Sequence, residues 1–357
     1  MKLLLLLLFL SNSVFATTNN LLDIYYPAGT YYLSDTLVVP ALPFPNNPVL
    51  GDKGNYHIHG DGITRTKLIW TNSNVGLDLT SPLGWGFEGV VIENLSLIGP
   101  GLNYSNISTG LILGHTNSFC WSGKNNLIRN CAIINWNIGS IITSQWLPSF
   151  DNCIIRSNNI EGLRFVGSHC VNVSNCQLGG GWITPCKIAI GFHPPPNACY
   201  GDNAQIVNCL IGPAIHGIFN QELILTSINN HLESCGSYYT LSNSSGLPST
   251  TIIGGYTLDY AVPYTNEFIG QVLMDTESSS RTIFENCQFT SGFWPARPVF
   301  NVIGTQYKAP TYIGPIGYLS GVFNTNISVK LYPIGYHPYL WNRKPNNNLI
   351  LRNINSQ

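Results

Sequence analysis

Apolar and polar positions along this chain alternate in short runs, with no helical stripe between them. One phrase recurs: Asn130-Cys131-Ala132-Ile133, Asn152-Cys153-Ile154-Ile155, Asn175-Cys176-Gln177-Leu178, Asn208-Cys209-Leu210-Ile211 and Asn286-Cys287-Gln288-Phe289, with Ser234-Cys235 and Asn94-Leu95-Ser96-Leu97 as degenerate copies. Successive cysteines of the phrase fall 22, 23, 33 and 26 residues apart, and then 52, two coils of 26. A second run, usually opened by glycine, lies between the phrases: Gly110-Leu111-Ile112-Leu113, Gly139-Ser140-Ile141-Ile142, Gly162-Leu163-Arg164-Phe165, Lys187-Ile188-Ala189-Ile190 and Gly217-Ile218-Phe219-Asn220. Two short strand types alternating at a fixed period predict an all-β solenoid. The fold expected is a single-stranded right-handed parallel β-helix of about eight or nine coils with irregular caps. A β-sandwich gives no reason for a fixed phrase at a fixed period.

In such a solenoid, equivalent residues stack into columns about 4.8 Å apart. Asparagine suits a bend column because stacked amides donate to the next coil, and the following cysteine is a small apolar filler of the interior. Cys131, Cys153, Cys176, Cys209 and Cys235 are therefore expected as one inward column of free thiols, since parallel Cβ atoms about 4.8 Å apart lie beyond the usual disulfide range. Cys186 and Cys199, in a Pro-rich loop, are the expected disulfide.

The first sixteen residues read as an export signal, with Lys2, an apolar run from Leu3 to Leu10 and a small-residue site at Val14-Phe15-Ala16. That run is too short to span a bilayer. The expected division is 1–16 signal, 17–88 N-terminal cap and first coils, 89–303 parallel β-helix, and 304–357 C-terminal cap or oligomer-contact segment. Charged residues make up 9% of the chain, against about 25% in ordinary domains, which leaves few side chains for helix surfaces. A net charge of −1 without a basic run argues against nucleic acid as a partner. Export makes the expected location extracellular, or the surface of a cell or virion.

The stretch Ile24-Tyr25-Tyr26-Pro27-Ala28-Gly29-Thr30-Tyr31-Tyr32-Leu33, followed by Ile58-His59-Gly60-Asp61-Gly62 and Thr66-Lys67-Leu68-Ile69, resembles the opening of the pectin-lyase-like superfamily. Within it, the opening is similar to that of the group holding rhamnogalacturonase- and epimerase-like pectate lyases and tailspikes. With the repeats, the resemblance covers residues 24 to 303. It implies the β-helix and a carbohydrate partner, and it is far less specific for reaction. The helix that usually precedes this opening is missing, which implies a differently built N-terminal cap, drawn from the loop between Pro40 and Pro48.

In polysaccharide-active β-helices the substrate lies along the outside of the glycine-opened strands. With Leu163, Phe165, Ile188 and Ile190 inward, period two turns Arg164 and Lys187 outward, with Glu161 and His216 at the leading turns. These four are the candidate catalytic residues. The bland reading is an exposed Glu161–Arg164 ion pair, a solvated lysine and a turn histidine. Asn159-Ile160-Glu161-Gly162 and Ile215-His216-Gly217 resemble polygalacturonase phrases, but Cys186-Lys187 stands where those enzymes have paired aspartates. Hydrolysis needs two carboxyl groups about 5 to 9.5 Å apart. Elimination across a uronic acid needs a base and a cation instead, roles open to Arg164 and Lys187.

Trp121, Trp136, Trp146 and Trp182 lie in or beside successive turns, where they either stack on sugars as substrate-binding residues or plug loops. No cofactor is expected: a calcium site needs clustered acids, and Asp151, Glu161 and Asp202 are scattered. His57 and His59 alternate on one face but have no acidic or cysteine neighbour in sequence, so they read as strand histidines. Six glycosylation sequons, at Asn94, Asn103, Asn106, Asn172, Asn243 and Asn326, are what composition alone would give. The function expected is action on a polysaccharide as a lyase or glycosidase. The alternative is a non-enzymatic glycan-binding or structural spike, a homotrimer rather than a monomer.

Overall fold

The computed structural model describes residues 14–18, 21–39, 55–81, 87–102, 106–115, 123–181, 184–195, 201–221, 223–242 and 250–258, and short stretches from 272 to 351. Its described strands form three long sheets of fourteen, eleven and ten strands. One coil shows how. Leu127–Arg129 joins the fourteen-stranded sheet, Ala132–Ile134 the ten-stranded one and Ile138–Thr143 the eleven-stranded one. The next coil repeats the path, with Ser149–Asp151, Ile154–Arg156 and Glu161–Val166 each pairing in parallel with its counterpart. Each coil therefore has three strands, where the sequence suggested two. The extra one was hidden because it runs directly into the Asn-Cys phrase, separated only by the bend residue.

That bend explains the asparagines. Asn130, Asn152, Asn175, Asn208 and Asn286 have φ of 48°, 52°, 55°, 54° and 52°, the left-handed region that asparagine tolerates better than other residues with a Cβ. The backbone N–H groups of Asn130, Asn152, Asn175 and Asn208 donate to the next coil, as Asn130 does to the Asp151 carbonyl at 3.0 Å. The amide ladder expected from the sequence is only partial: Asn130 donates to Asn94, but Asn175 donates to the Asp151 carboxylate at 2.9 Å. Backbone conformation, more than stacking, selects the residue.

The cysteines after the bends are buried and free. Cys131, Cys153, Cys176 and Cys209 follow their bend asparagines as expected, and Cys287 occupies the same place after Asn286. Cys235 is a correction. Leu210 pairs with His231, so the residue one coil on from Cys209 is Asn230, whose Oδ1 accepts the Cys209 N–H at 2.8 Å. Cys235 instead aligns with Ala214, which aligns with Cys186. Asn230 brings a polar patch into the core: its amide donates to the Ile206 carbonyl at 2.8 Å and to Ser227 Oγ at 2.7 Å, and Ser227 meets the Tyr239 hydroxyl at 3.1 Å. All of these groups are buried, and each is hydrogen-bonded, which is what makes the patch tolerable.

Cys186 also departs from expectation. It is a free, fully buried thiol whose Sγ approaches the Pro213 carbonyl at 3.7 Å, because it opens a strand and faces the interior. Cys199 lies outside the described residues.

The glycine-led strands have a steric cause. A Cβ at Gly110, Gly139 or Gly162 would run into the carbonyl oxygen of the equivalent residue in the next coil, Gly139, Gly162 and Ala189 respectively. At the N-terminal end, the two phrases of the opening are tied together by Asp61, which accepts from the Tyr25 hydroxyl at 2.8 Å and the Ala28 N–H at 2.7 Å. Those two bonds hold its carboxyl below the usual carboxylate range. Before it, Val14–Thr18 pairs antiparallel with Leu21–Tyr26. Beyond Gly304, Thr311–Gly314, Val322–Thr325, Lys330–Pro333 and Ile350–Leu351 continue two of the sheets, so strands of this segment extend the solenoid beyond the eight or nine coils expected. The Pro40–Pro48 loop lies outside the described residues.

Candidate functional site

On the eleven-stranded sheet, Leu163 and Phe165 point inward and are buried, as are Ile190 and Phe192 one coil later. Arg164 therefore faces outward, in register with Gly191 and Phe219, and Val166 is in register with His193. Glu161 reaches across this outer surface: a Cβ at Gly191 would collide with its carboxylate and with the His193 ring. The missing side chain at Gly191 makes room for a three-residue cluster. Arg164 Nε donates to Glu161 Oε2 at 2.6 Å, and His193 Nε2 lies 2.8 Å from Glu161 Oε1.

Glu161 is 0% exposed, while the Arg164 and His193 side chains are 32% and 22% exposed. The expected exposed ion pair is thus a carboxylate enclosed beneath two partners, covered because Arg164 and His193 fold over it. Beyond His193, Nδ1 is 3.2 Å from Gln221 Oε1. Phe219 stands between the His193 and His216 rings, 5.6 and 5.7 Å from them, and His216 Nδ1 is 2.8 Å from Thr240 Oγ1.

Lys187 is exposed, as period two required. Ile188 was expected inward and is partly exposed, in register with Glu161 and His216. The chain turns a corner at Gly162, Ala189 and Gly217, so the residue before each corner leaves the interior. Glu161 and His216 are two strands apart, about 9.6 Å along the ladder. The structure brings Glu161 and Arg164 into contact, sets Lys187 on the neighbouring coil, and adds His193, Phe219 and Gln221, which the sequence reading missed. The signal for His193 was present: period two carried on from Lys187 passes through Gly191 to His193.

The five strands Ile138–Thr143, Glu161–Val166, Cys186–His193, Ala214–Asn220 and Cys235–Leu241 carry one acid between them, Glu161. Around it stand Arg164, Lys187 and two histidines. With the histidines neutral, the balance of the cluster is already +1. Asp151 is elsewhere, on the fourteen-stranded sheet, accepting from Ser174 Oγ at 2.8 Å, and Asp202 sits beside His169 and Cys170.

The tryptophans divide. Trp136 is 0% exposed, packs 5.6 Å from Trp70 and donates from Nε1 to the Leu97 carbonyl at 3.2 Å, so it is a core side chain and no sugar platform. Trp146 is partly exposed and stacks on His169 at 5.3 Å. Trp121 and Trp182 lie outside the described residues. His57 and His59, on the fourteen-stranded sheet, do have an acidic neighbour: Asp23 of the preceding coil lies within 3.1 Å of both. Glu93 stands behind His57. Burial works to raise the Glu93 carboxyl, but hydrogen bonds from Arg129 and His57 override it and hold it below the ordinary range.

Among solved structures, the catalytic unit of an α-1,3-glucanase from Streptomyces thermodiastaticus superposes over 88% of this chain and 60% of its own, with TM-score 0.50 and 14% identity. The fold is the right-handed parallel β-helix. Two further parallel β-helix proteins are similar. An alginate lyase from Paenibacillus covers 78% of this chain and 91% of its own at TM-score 0.46 and 12% identity. The mannuronan C-5 epimerase A-module of Azotobacter vinelandii covers 88% and 89% at 0.42 and 11%. The chain spans somewhat over half the length of the first two structures it matches, 56% and 60%. No protein-family model matches the sequence, and no curated protein does. Among the described residues, no helix is long and apolar enough to cross a membrane.

Proposed function

We propose that this protein acts on an acidic polysaccharide laid across the outer face of the eleven-stranded sheet, by elimination rather than hydrolysis. The observation that carries this reading is a lone acid, Glu161, amid Arg164, Lys187, His193 and His216. Two-carboxylate hydrolysis lacks its second acid on these five strands. A uronate carboxylate, by contrast, finds a guanidinium that is one-third exposed and held in orientation by Glu161, which suits charge stabilisation as the α-proton leaves. Lys187, exposed on the adjoining coil, is the base in this scheme: as the amine it takes the C5 proton, the C4–C5 double bond forms as the C4–O glycosidic bond breaks, and the departing oxygen takes a proton from water. Glu161 and His193 are positioning residues.

A second reading has its own observation. Both Glu161 oxygens are already engaged, as they would be in a purely structural clamp that displays Arg164 and Lys187 for binding an anionic glycan. One experiment separates the two. The full-length chain is incubated with a panel of acidic and neutral polysaccharides, following ultraviolet absorbance of unsaturated uronates and new reducing ends together. Elimination raises both signals, and Lys187→Ala abolishes both without moving the thermal midpoint. Reducing ends without absorbance would mean hydrolysis and overturn the proposal. Retention on an immobilised acidic glycan without cleavage would establish the binding reading.

A further inference from the structure

Asp23 lies on Leu21–Tyr26, and His57 and His59 on Asn55–Gly60. Ile24, Tyr26, Tyr56 and Ile58 are buried, so period two turns Asp23, His57 and His59 to the outer face of the fourteen-stranded sheet. Asp23 pairs with His57 in register, and His59 pairs with Glu93. Asp23 Oδ1 is 3.1 Å from His57 Nδ1 and 3.0 Å from His59 Nε2, and one ligand atom from each residue lies within 4.8 Å of the others. The two imidazoles stack 4.2 Å apart at 7°, with Tyr25 stacked on His59 at 4.9 Å. Asp23 Oδ1 and His59 Nε2 are shielded from solvent and make no hydrogen bond.

Behind this group, His57 Nε2 is 2.9 Å from Glu93 Oε1, and Arg129 pairs with the other Glu93 oxygen. A carboxylate paired with arginine only accepts, so the Nε2 of His57 carries the proton and its Nδ1 lone pair points at Asp23. A carboxylate behind a histidine in this way fixes the tautomer of metal-ligating imidazoles. With Nε2 of His59 also unprotonated, the three atoms that converge here are all acceptors, an arrangement that a cation among them satisfies.

We propose that Asp23, His57 and His59 bind a divalent transition metal of the zinc class, with Glu93 as the positioning carboxylate behind His57. Tetrahedral bonds of about 2.0–2.2 Å set ligand atoms roughly 3.3–3.6 Å apart, which small side-chain shifts from the observed distances reach. The N₂O donor set favours zinc, cobalt, nickel or copper over calcium and magnesium, which take oxygen. Side-chain exposures of 30%, 28% and 23% leave the fourth position to water or to a donor group of a bound molecule. The site stands on a different sheet from the Glu161 cluster and does not depend on the carbohydrate reading.

The test is titration of the chelator-stripped full-length chain with Co²⁺ alone, then with Zn²⁺. One equivalent of Co²⁺ should give visible ligand-field absorption that Zn²⁺ displaces. His57→Ala and His59→Ala should each abolish it, and Glu93→Gln should weaken affinity about 10–100-fold with an unchanged far-ultraviolet dichroism spectrum. If an alanine variant fails to fold, Asp23→Asn, nearly the same shape, decides by the same loss. Absence of stoichiometric binding, or binding that these substitutions leave unchanged, would overturn the proposal and make the cluster a histidinium pair between two carboxylates.

Discussion

On the eleven-stranded sheet, a carboxylate is enclosed by an arginine and a histidine, and both of its oxygens are engaged. On the fourteen-stranded sheet, a carboxylate oxygen faces two imidazole nitrogens without a hydrogen bond. The same ladder builds both, since parallel coils set residues far apart in sequence about 4.8 Å apart on one face. What differs is the donor count. Glu161 meets groups that bring protons, so its cluster closes on itself and presents the outer flank of Arg164. Asp23 Oδ1 meets two imidazole nitrogens and makes no hydrogen bond to either, which is the opening that the proposed cation fills.

The contrast breaks most readily at Arg164. Arg164→Ala removes the charged donor to Glu161 Oε2 and leaves His193 as its partner, and denaturant unfolding should show a loss of about 3 kcal/mol, the upper figure for a hydrogen bond to a charged group. Asp23→Ala in metal-free protein should cost less than about 1 kcal/mol, as for exposed pairs. Equal losses would remove the distinction between a closed and an open cluster. Next in size, Zn²⁺ at a hundredfold excess over its Kd should stabilise the wild type and Lys187→Ala alike by about 2.7 kcal/mol, measured as a shift in the denaturant midpoint, and leave His57→Ala unmoved.

The interior sharpens the same point about donor count. Tyr239→Phe removes the hydroxyl that meets Ser227, and the expected loss is about 1 kcal/mol by equilibrium unfolding. Thiol labelling of native protein should modify Cys170, which is partly exposed, before the column cysteines. Burial pushes the Cys131 and Cys287 thiols up to about 12, so little thiolate forms near neutral pH. Smallest is a pH effect at the opening. Asp61 has a depressed folded-state pKa from the Tyr25 and Ala28 hydrogen bonds. Its stabilisation is therefore present above the ordinary carboxylate value near 3.8 and is lost as pH falls through the lower folded value. Asp61→Asn should flatten the acid limb of the thermal midpoint against pH, and an unchanged limb would show that other carboxylates control it.

Fold and site were legible in the sequence to different depths. Asn-Cys phrases announce a solenoid because a left-handed bend and a narrow interior each accept few residue types. Arg164 and Lys187 were readable as outward because period two holds along a straight strand. Ile188 was misplaced because period two fails at the corner before Ala189, and the burial of Glu161 was missed because it comes from Arg164 and the His193 of the next coil. Asn230 was invisible as a column member, and Cys235 took its place in the reading, because polar filler has no hydrophobic signature. Trp136 lies in the turn that the sequence assigned it to, but its ring turns inward against Trp70.

By itself, then, the sequence determined the coil, its bends, its inward thiols and which strand faces carry charge, all of which follow from local backbone preference and a periodicity of two. Which residues of different coils meet was decided only by the tertiary structure. Lengths between phrases vary, so register is set by packing across coils, and register alone places His193 on Glu161 and Asp23 against His57 and His59.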